Sequence, residues 1–198
     1  MSELVLAPQD EANLHLDRTL VEENLLPDRA RAGDLEAFDA IMLLYEGRLL
    51  RFLMGLVGDA EVAADLCQDT FLSAYQALPR VKGELKLSAW LHTIALNHAR
   101  SHHRRKRHKT FVSIEDHEPA SDAPDATEAI AANEVVRRVL SRIPKQYSEA
   151  LLLQTGSGFS CREIAGVLRC SEGAVKVRLM RARESFRREY GKEMEDHV

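Results

Sequence analysis

The residues with the most legible chemistry lie between positions 160 and 184, SCREIAGVLRCSEGAVKVRLMRARE, where cations and small apolar residues recur at helical spacing. Lys176, Val177, Met180 and Arg181 share one face of a basic segment, and such a face can present side chains to base edges in a DNA major groove. Arg181 is the strongest specificity candidate, because an Arg set bidentate on guanine typically contributes ~1–3 kcal/mol of discrimination. Arg178, Arg183, Arg187 and Arg188 flank the face and suit phosphates, which fix position without reading sequence. A helix used in this way must be held out by another. Ser160 and Glu163 have capping-box spacing for the start of that support, and Ile164, Ala165 and Leu168 give it an apolar face. Ser171 is a second N-cap, so the chain turns between Leu168 and Ser171. Behind it Ala174, Val175, Leu179, Ala182 and Phe186 recur at a spacing that packs back on the first helix. The result reads as a helix-turn-helix; the competing reading is a surface helix whose charges are merely solvated.

Two further helical segments carry polar residues in patterns that need a purpose. Between about Ala60 and Ala77, one face collects Ala63, Leu66, Cys67, Thr70, Phe71 and Ala74. The other carries Glu61, Asp65, Gln68, Asp69, Leu72 and Gln76, a carboxylate-rich ridge with an exposed leucine that suits a basic protein partner or is simply solvated. From Leu87 to about Arg107, Leu87, Trp90, Leu91, Ile94 and His98 turn inward, while Thr93, Asn97, Arg100, Ser101 and Arg104 form an outer polar edge. Arg105, Lys106, Arg107 and Lys109 extend that edge into a cationic end for phosphates.

The 198 residues carry a net charge of −4, yet the charge is segregated. His98 to Lys109 holds bases and no acid; Ser113 to Glu128 holds acids and no Lys or Arg. A modestly negative total thus conceals two cationic surfaces. The three cysteines, Cys67, Cys161 and Cys170, have neither disulfide-framework nor zinc spacing. His98, His102, His103 and His108 lack a carboxylate to complete a metal set, so no metal or cofactor is expected. No apolar run approaches a membrane span, and no secretory leader is recognised, so a cytoplasmic protein without membrane insertion is expected.

The expected fold is all-α: two small helical domains on a flexible acidic linker. Residues 1–25 read as an acidic arm, 26–108 as the first domain, 109–127 as the linker, 128–190 as a four-helix unit containing the helix-turn-helix, and 191–198 as a tail. In the first domain Phe38, Met42, Tyr45, Leu49, Phe52 and Leu56 make the stripe of one long helix that Gly55, Gly58 and Asp59 end. A linker of this length reaches ~25 Å as a coil, enough to join two weak DNA contacts into one bivalent reader.

Several motifs stand in order along the chain: AGDLEAF at 32–38, DLCQDTF at 65–71, VKGELKLSAWLHTIALNHAR at 81–100 and RIPKQYSEALLL at 142–153, followed by the helix-turn-helix. With these, Ala32 to Lys109 resembles the second conserved region of bacterial sigma factors of the extracytoplasmic-function (ECF) type, and Glu134 to Tyr190 resembles their fourth. The resemblance implies a non-enzymatic initiation factor that binds core RNA polymerase and promoter DNA, with no catalytic residue. It places Asp65, Gln68, Asp69 and Leu72 on the polymerase. Ala77, Leu78, Pro79, Arg80, Val81 and Lys82, with Asn97, Arg100 and Arg104, fall to the downstream promoter element, where a base is flipped into a pocket. Lys176, Val177, Arg178, Met180, Arg181 and Arg183 fall to the upstream element. An anti-sigma factor is a further implied partner.

The chain departs from the family pattern at Val81 and Lys82, where Phe-Arg is frequent, and at His92 and Thr93, where an aromatic or Arg is frequent. Lys176 stands where Arg is common, and a Lys forms no bidentate fork. Two rival classes are open to the sequence. A one-component helix-turn-helix regulator would need a ligand cavity in its other domain, and a nucleic-acid enzyme would need converging carboxylates or a metal set.

Overall fold

A computed structural model describes residues 25–112 and 128–195, with side chains described for 25–107 and 134–195. The expected N-terminal arm up to residue 24, the expected linker from 113 to 127 and residues 196–198 lie outside the described residues. Among the described residues all regular structure is helical. Helix α1 covers 25–31. It is followed by α2 (Leu35–Val57), α3 (Ala60–Ala77), a 3-10 turn (Leu78–Arg80) and α4 (Leu87–Val112). The second unit comprises α5 (Glu128–Arg142), α6 (Lys145–Thr155), α7 (Cys161–Leu168) and α8 (Glu172–Glu195).

Helix ends follow local chemistry. Asp34 caps α2 by accepting from the Ala37 N–H at 3.1 Å, and Asp59 caps α3 by accepting from the Val62 N–H at 3.0 Å. Between them Gly58, at φ 75°, closes α2 in a left-handed conformation that a residue without Cβ adopts at no steric cost. Gly55 does not help end α2 as expected. The helix runs on to Val57, and a Cβ at position 55 would lie 2.6 Å from Leu152 Cδ2, so the glycine makes room for α6 instead.

The first unit packs α2, α3 and α4 around Ile41, Leu49, Phe52, Leu53, Leu66, Phe71 and Leu91. Each large side chain of this kind contributes about 1.5–3 kcal/mol when fully buried. On α3 the buried set is the expected one, Ala63, Leu66, Cys67, Thr70, Phe71 and Ala74. On α2 the expected stripe shifts slightly: Met42 is exposed and Leu56 half-buried, while Ile41 and Leu53 join the core. In the second unit Val139, Leu140, Ile143, Leu151 and Ala182 form a smaller core, with Val135, Tyr147, Leu152 and Phe186 against it. Helix α8 continues past the expected end near Tyr190 because Glu193, buried, accepts from Arg138 Nε (2.6 Å) and Arg142 Nη1 (2.5 Å) of α5.

The two units, expected as separately tethered bodies, lie against one another. Helices α6 and α7 pack on α2 and α4, and the larger core continues through Leu153, Phe159 and Ile164 into the second unit. At the junction the His92 ring sits between Phe52 and Phe159, with centroids 5.1 and 4.8 Å away. Its Nδ1 lies 2.8 Å from the Ser88 carbonyl, which only accepts, so Nδ1 carries the proton and Nε2 accepts from the Ser157 hydroxyl at 2.8 Å. His92 was expected to be merely a departure from a family pattern. It is a fully buried junction residue because α4 has a second buried stripe, His92, Ala95, Leu96 and Ala99, at spacings of three and four.

Candidate nucleic-acid interface

The helix-turn-helix is built as its caps dictate. The Ser160 hydroxyl accepts from the Glu163 N–H at 3.3 Å, and Glu163 Oε2 accepts from the Ser160 N–H at 3.0 Å and from its hydroxyl at 2.6 Å. These bonds, the hydroxyl's first, hold the Glu163 carboxyl below its ordinary value. Arg169, at φ 52°, makes the left-handed turn after α7, and the Ser171 hydroxyl accepts from the Ala174 N–H at 3.2 Å to start α8. Val175, Leu179 and Ala182 are buried, which leaves Lys176, Val177, Met180 and Arg181 exposed on one face. Val177 and Met180, 45% and 51% exposed, are apolar side chains offered to solvent on a basic helix. Arg181 donates to the Tyr147 hydroxyl at 3.2 Å, and Arg183 donates to Gln154 Oε1 at 2.7 Å, so α6 braces two of the cations. Arg178 is half-buried.

In the first unit Asp65, Gln68, Asp69 and Leu72 are exposed along α3, Leu72 at 57%. Gln68 and Leu72 also line an open groove between α2 and α3, floored by Phe38, Cys67 and Phe71 and edged further by Met42, Glu46, Leu50 and Tyr75. The helical spacing of α3 predicts one exposed leucine here, Leu72. Met42, Leu50 and Tyr75 make an apolar strip of it, and the signal available was the breadth of apolar residues around α2, wider than one stripe needs. Burial, and then Glu46, push the Cys67 thiol up to about 11, which makes it an inert core residue at neutral pH.

The third set surrounds the end of α3 and the outer edge of α4. Pro79, Arg80 and Lys82 are exposed, Ala77 and Val81 half-buried, and Asn97 and Arg104 exposed. Leu78 departs from expectation. The residue is only 1% exposed and anchors the 3-10 turn in the core instead of standing on the surface. Arg104 lies 3.1 Å from the Ser101 hydroxyl, a bond within its own helix. Arg100 is held by Glu149 of α6 rather than facing solvent alone. Among the described residues no group of three or more His, Cys, Asp or Glu is placed to hold a metal ion, and no helix is long and apolar enough to cross a membrane.

Residues 41–109 match the family model Sigma-70 region 2, and residues 133–186 match Sigma-70, region 4. The RNA polymerase sigma-H factor of Pseudomonas aeruginosa is 31% identical over 180 residues, covering 85% of this chain and 93% of that protein. The ECF RNA polymerase sigma-E factor of Escherichia coli is 27% identical over 185 residues, covering 83% and 92%. The chain belongs to the ECF sigma factors. Like other sigma factors it is a transcription initiation factor and not an enzyme. Two solved structures share its fold. CnrH, in complex with the cytosolic domain of CnrY, is 25% identical with a TM-score of 0.66, over 83% of this chain and 94% of that one. RpoE of Bartonella quintana, in complex with the anti-sigma factor NepR, is 26% identical with a TM-score of 0.63, over 77% and 95%.

In this sigma factor the fold brings the candidate residues into three separate surfaces. The α3 ridge and the basic face of α8 are both exposed. The α4 edge is partly covered by α7, since Arg162, Glu163, Gly166 and Val167 face Ala89, Trp90 and Thr93 across a cleft. Trp90, expected as a core anchor, is half-buried at that cleft and packs against the larger core.

Proposed function

We propose that this sigma factor binds core RNA polymerase through α3, reads the downstream promoter element and assists strand opening with the α3–α4 turn and the outer edge of α4, and reads the upstream element with α8. One observation carries the reading: Asp65, Gln68, Asp69 and Leu72 are exposed together on α3, with Gln68 and Leu72 lining an apolar groove, while an exposed basic face lies on a different helix. Carboxylates with an adjoining apolar slot suit a basic helical surface on a large partner, since the charges orient the encounter and apolar burial supplies affinity.

Strand opening needs a compensating pocket, because extruding a base costs a few kcal/mol. Asn97 offers a donor and an acceptor to a base edge, and Pro79, Arg80 and Lys82 are exposed at the α3–α4 turn. Val81 supplies no ring for stacking, so the pocket relies on hydrogen bonds and on contacts contributed by polymerase. On α8, Lys176 and Arg181 address base edges and phosphates, with Val177 and Met180 against apolar base surfaces. CnrH is bound to the cytosolic domain of CnrY and RpoE to the anti-sigma factor NepR, and on that likeness an anti-sigma factor is a partner of this chain as well.

Reconstitution tests the proposal. The purified protein is expected to join core polymerase and to direct specific run-off transcription, and Leu72→Asp is expected to abolish both while leaving the helical content unchanged. A protein that joins core polymerase without redirecting initiation would overturn the promoter-reading half of the proposal.

A further inference from the structure

Arg100 lies on the outer edge of α4, where the proposed function calls for a phosphate contact. Its guanidinium is instead engaged within the protein: Nε donates to Glu149 Oε1 at 3.0 Å and Nη2 donates to Glu149 Oε2 at 2.6 Å. Glu149 belongs to α6, in the other unit, and is 6% exposed. It lies against Leu56, Leu96, Ala99, His103 and Lys145. A carboxylate gripping two edges of a guanidinium reproduces the paired hydrogen bonds that Arg offers to phosphate.

Other contacts between the units surround this pair. Ser157 meets His92, Leu152 fills the space left by Gly55, and Arg137 Nη1 donates to the Gly58 carbonyl at 2.7 Å. On the other flank α7 stands over Trp90 and Thr93. These contacts engage the α4 edge at Thr93 and Arg100 and leave Asn97 and Arg104 exposed, while Lys176, Val177, Met180 and Arg181 are exposed on α8. The shielding is therefore local, and it falls on the cation of the α4 edge that Glu149 grips.

We propose that the packed arrangement is a self-shielding form of the free protein, in which Glu149 occupies Arg100 as a nucleic-acid phosphate otherwise does. Opening the junction frees Arg100 and wets Glu149; a phosphate backbone that takes the guanidinium compensates that loss, so DNA competes directly with the closed form. The inference rests on reading Arg100 as a phosphate contact, and its test separates the two.

Glu149→Gln and Arg100→Gln would be examined in the full-length protein by small-angle X-ray scattering, without DNA, and by fluorescence anisotropy with duplex DNA of arbitrary sequence. Both variants are expected to enlarge the radius of gyration. Only Glu149→Gln is expected to bind DNA more tightly, by about tenfold if the closed form holds about nine-tenths of the molecules. Dimensions unchanged in both variants would overturn the self-shielding form, whatever DNA does. A wider Glu149→Gln protein with unchanged DNA affinity overturns the competition, and if Arg100→Gln then binds DNA as the unaltered protein does, the phosphate role of Arg100 falls with it. Should Glu149→Gln fail to fold, the scattering of Arg100→Gln, altered at a side chain 43% exposed, still decides whether the pair holds the units together.

Discussion

Arg181 and Tyr147 face the same question from opposite ends of a 3.2 Å hydrogen bond: whether a cation on α8 reads a base because of where it is held. Arg181→Ala is expected to cost ~1–3 kcal/mol of discrimination at one base pair of the upstream element, as for loss of a bidentate contact. Tyr147→Phe, which removes only the brace, is expected to cost less at the same base pair. Both are measured by binding polymerase carrying the variant to promoters altered one base pair at a time. His92 sets a different expectation. Burial, partly offset by its bond to Ser88 and reinforced by Arg48, holds its imidazole below the ordinary 6.5. His102 and His103 are displaced in the same direction, by burial first and then by neighbouring cations. The folded protein therefore binds fewer protons than the unfolded chain once pH drops past 6.5, so the stability these rings contribute is complete above that pH and declines as acid is added. Thermal melts across this range are expected to show a falling midpoint, and His92→Phe, which keeps a ring between Phe52 and Phe159, is expected to flatten the curve. An equally steep curve in the variant would place the dependence elsewhere.

At the scale of single helices, α7 is the element most dependent on its caps. Its eight residues are too few for a helix stable alone, and it owes its start to the paired bonds of Ser160 and Glu163. Ser160→Ala is expected to cost about 1 kcal/mol, which for a chain of this size lowers the melting midpoint by roughly 2–4 °C; calorimetry of the two proteins checks it. Helices differ in how much of this was readable beforehand. Helix α3 has one buried face and one wet face, so its apolar spacing gave the complete buried set. Helix α4 is buried on two faces, and a two-sided pattern merges into a broad run in which His92 and Ala99 carry no distinguishing signal. Gly55 misled for a related reason: a glycine in a helical pattern marks an end or a close approach, and nothing local separates the two.

Over the whole molecule the three surfaces make separate demands. Asp65→Lys is expected to weaken association with core polymerase without changing the affinity of the free protein for duplex DNA, because α3 and α8 are separate exposed surfaces; polymerase pull-down alongside anisotropy on DNA tests the division. Equal losses in both measurements would mean that the ridge acts through the fold. Helix class, caps, the turn at Arg169, the ridge on α3 and the reading face on α8 were all determined by the sequence itself, because backbone hydrogen bonds and side-chain spacing within a helix involve residues only a few positions apart. The pairing of Arg100 with Glu149, 49 positions away, and of His92 with Ser157, 65 away, was decided by tertiary packing alone. Such contacts arise from the summed burial of apolar surface between two units, here Phe52, Leu152 and Phe159. That sum has no period along the chain from which it could be read.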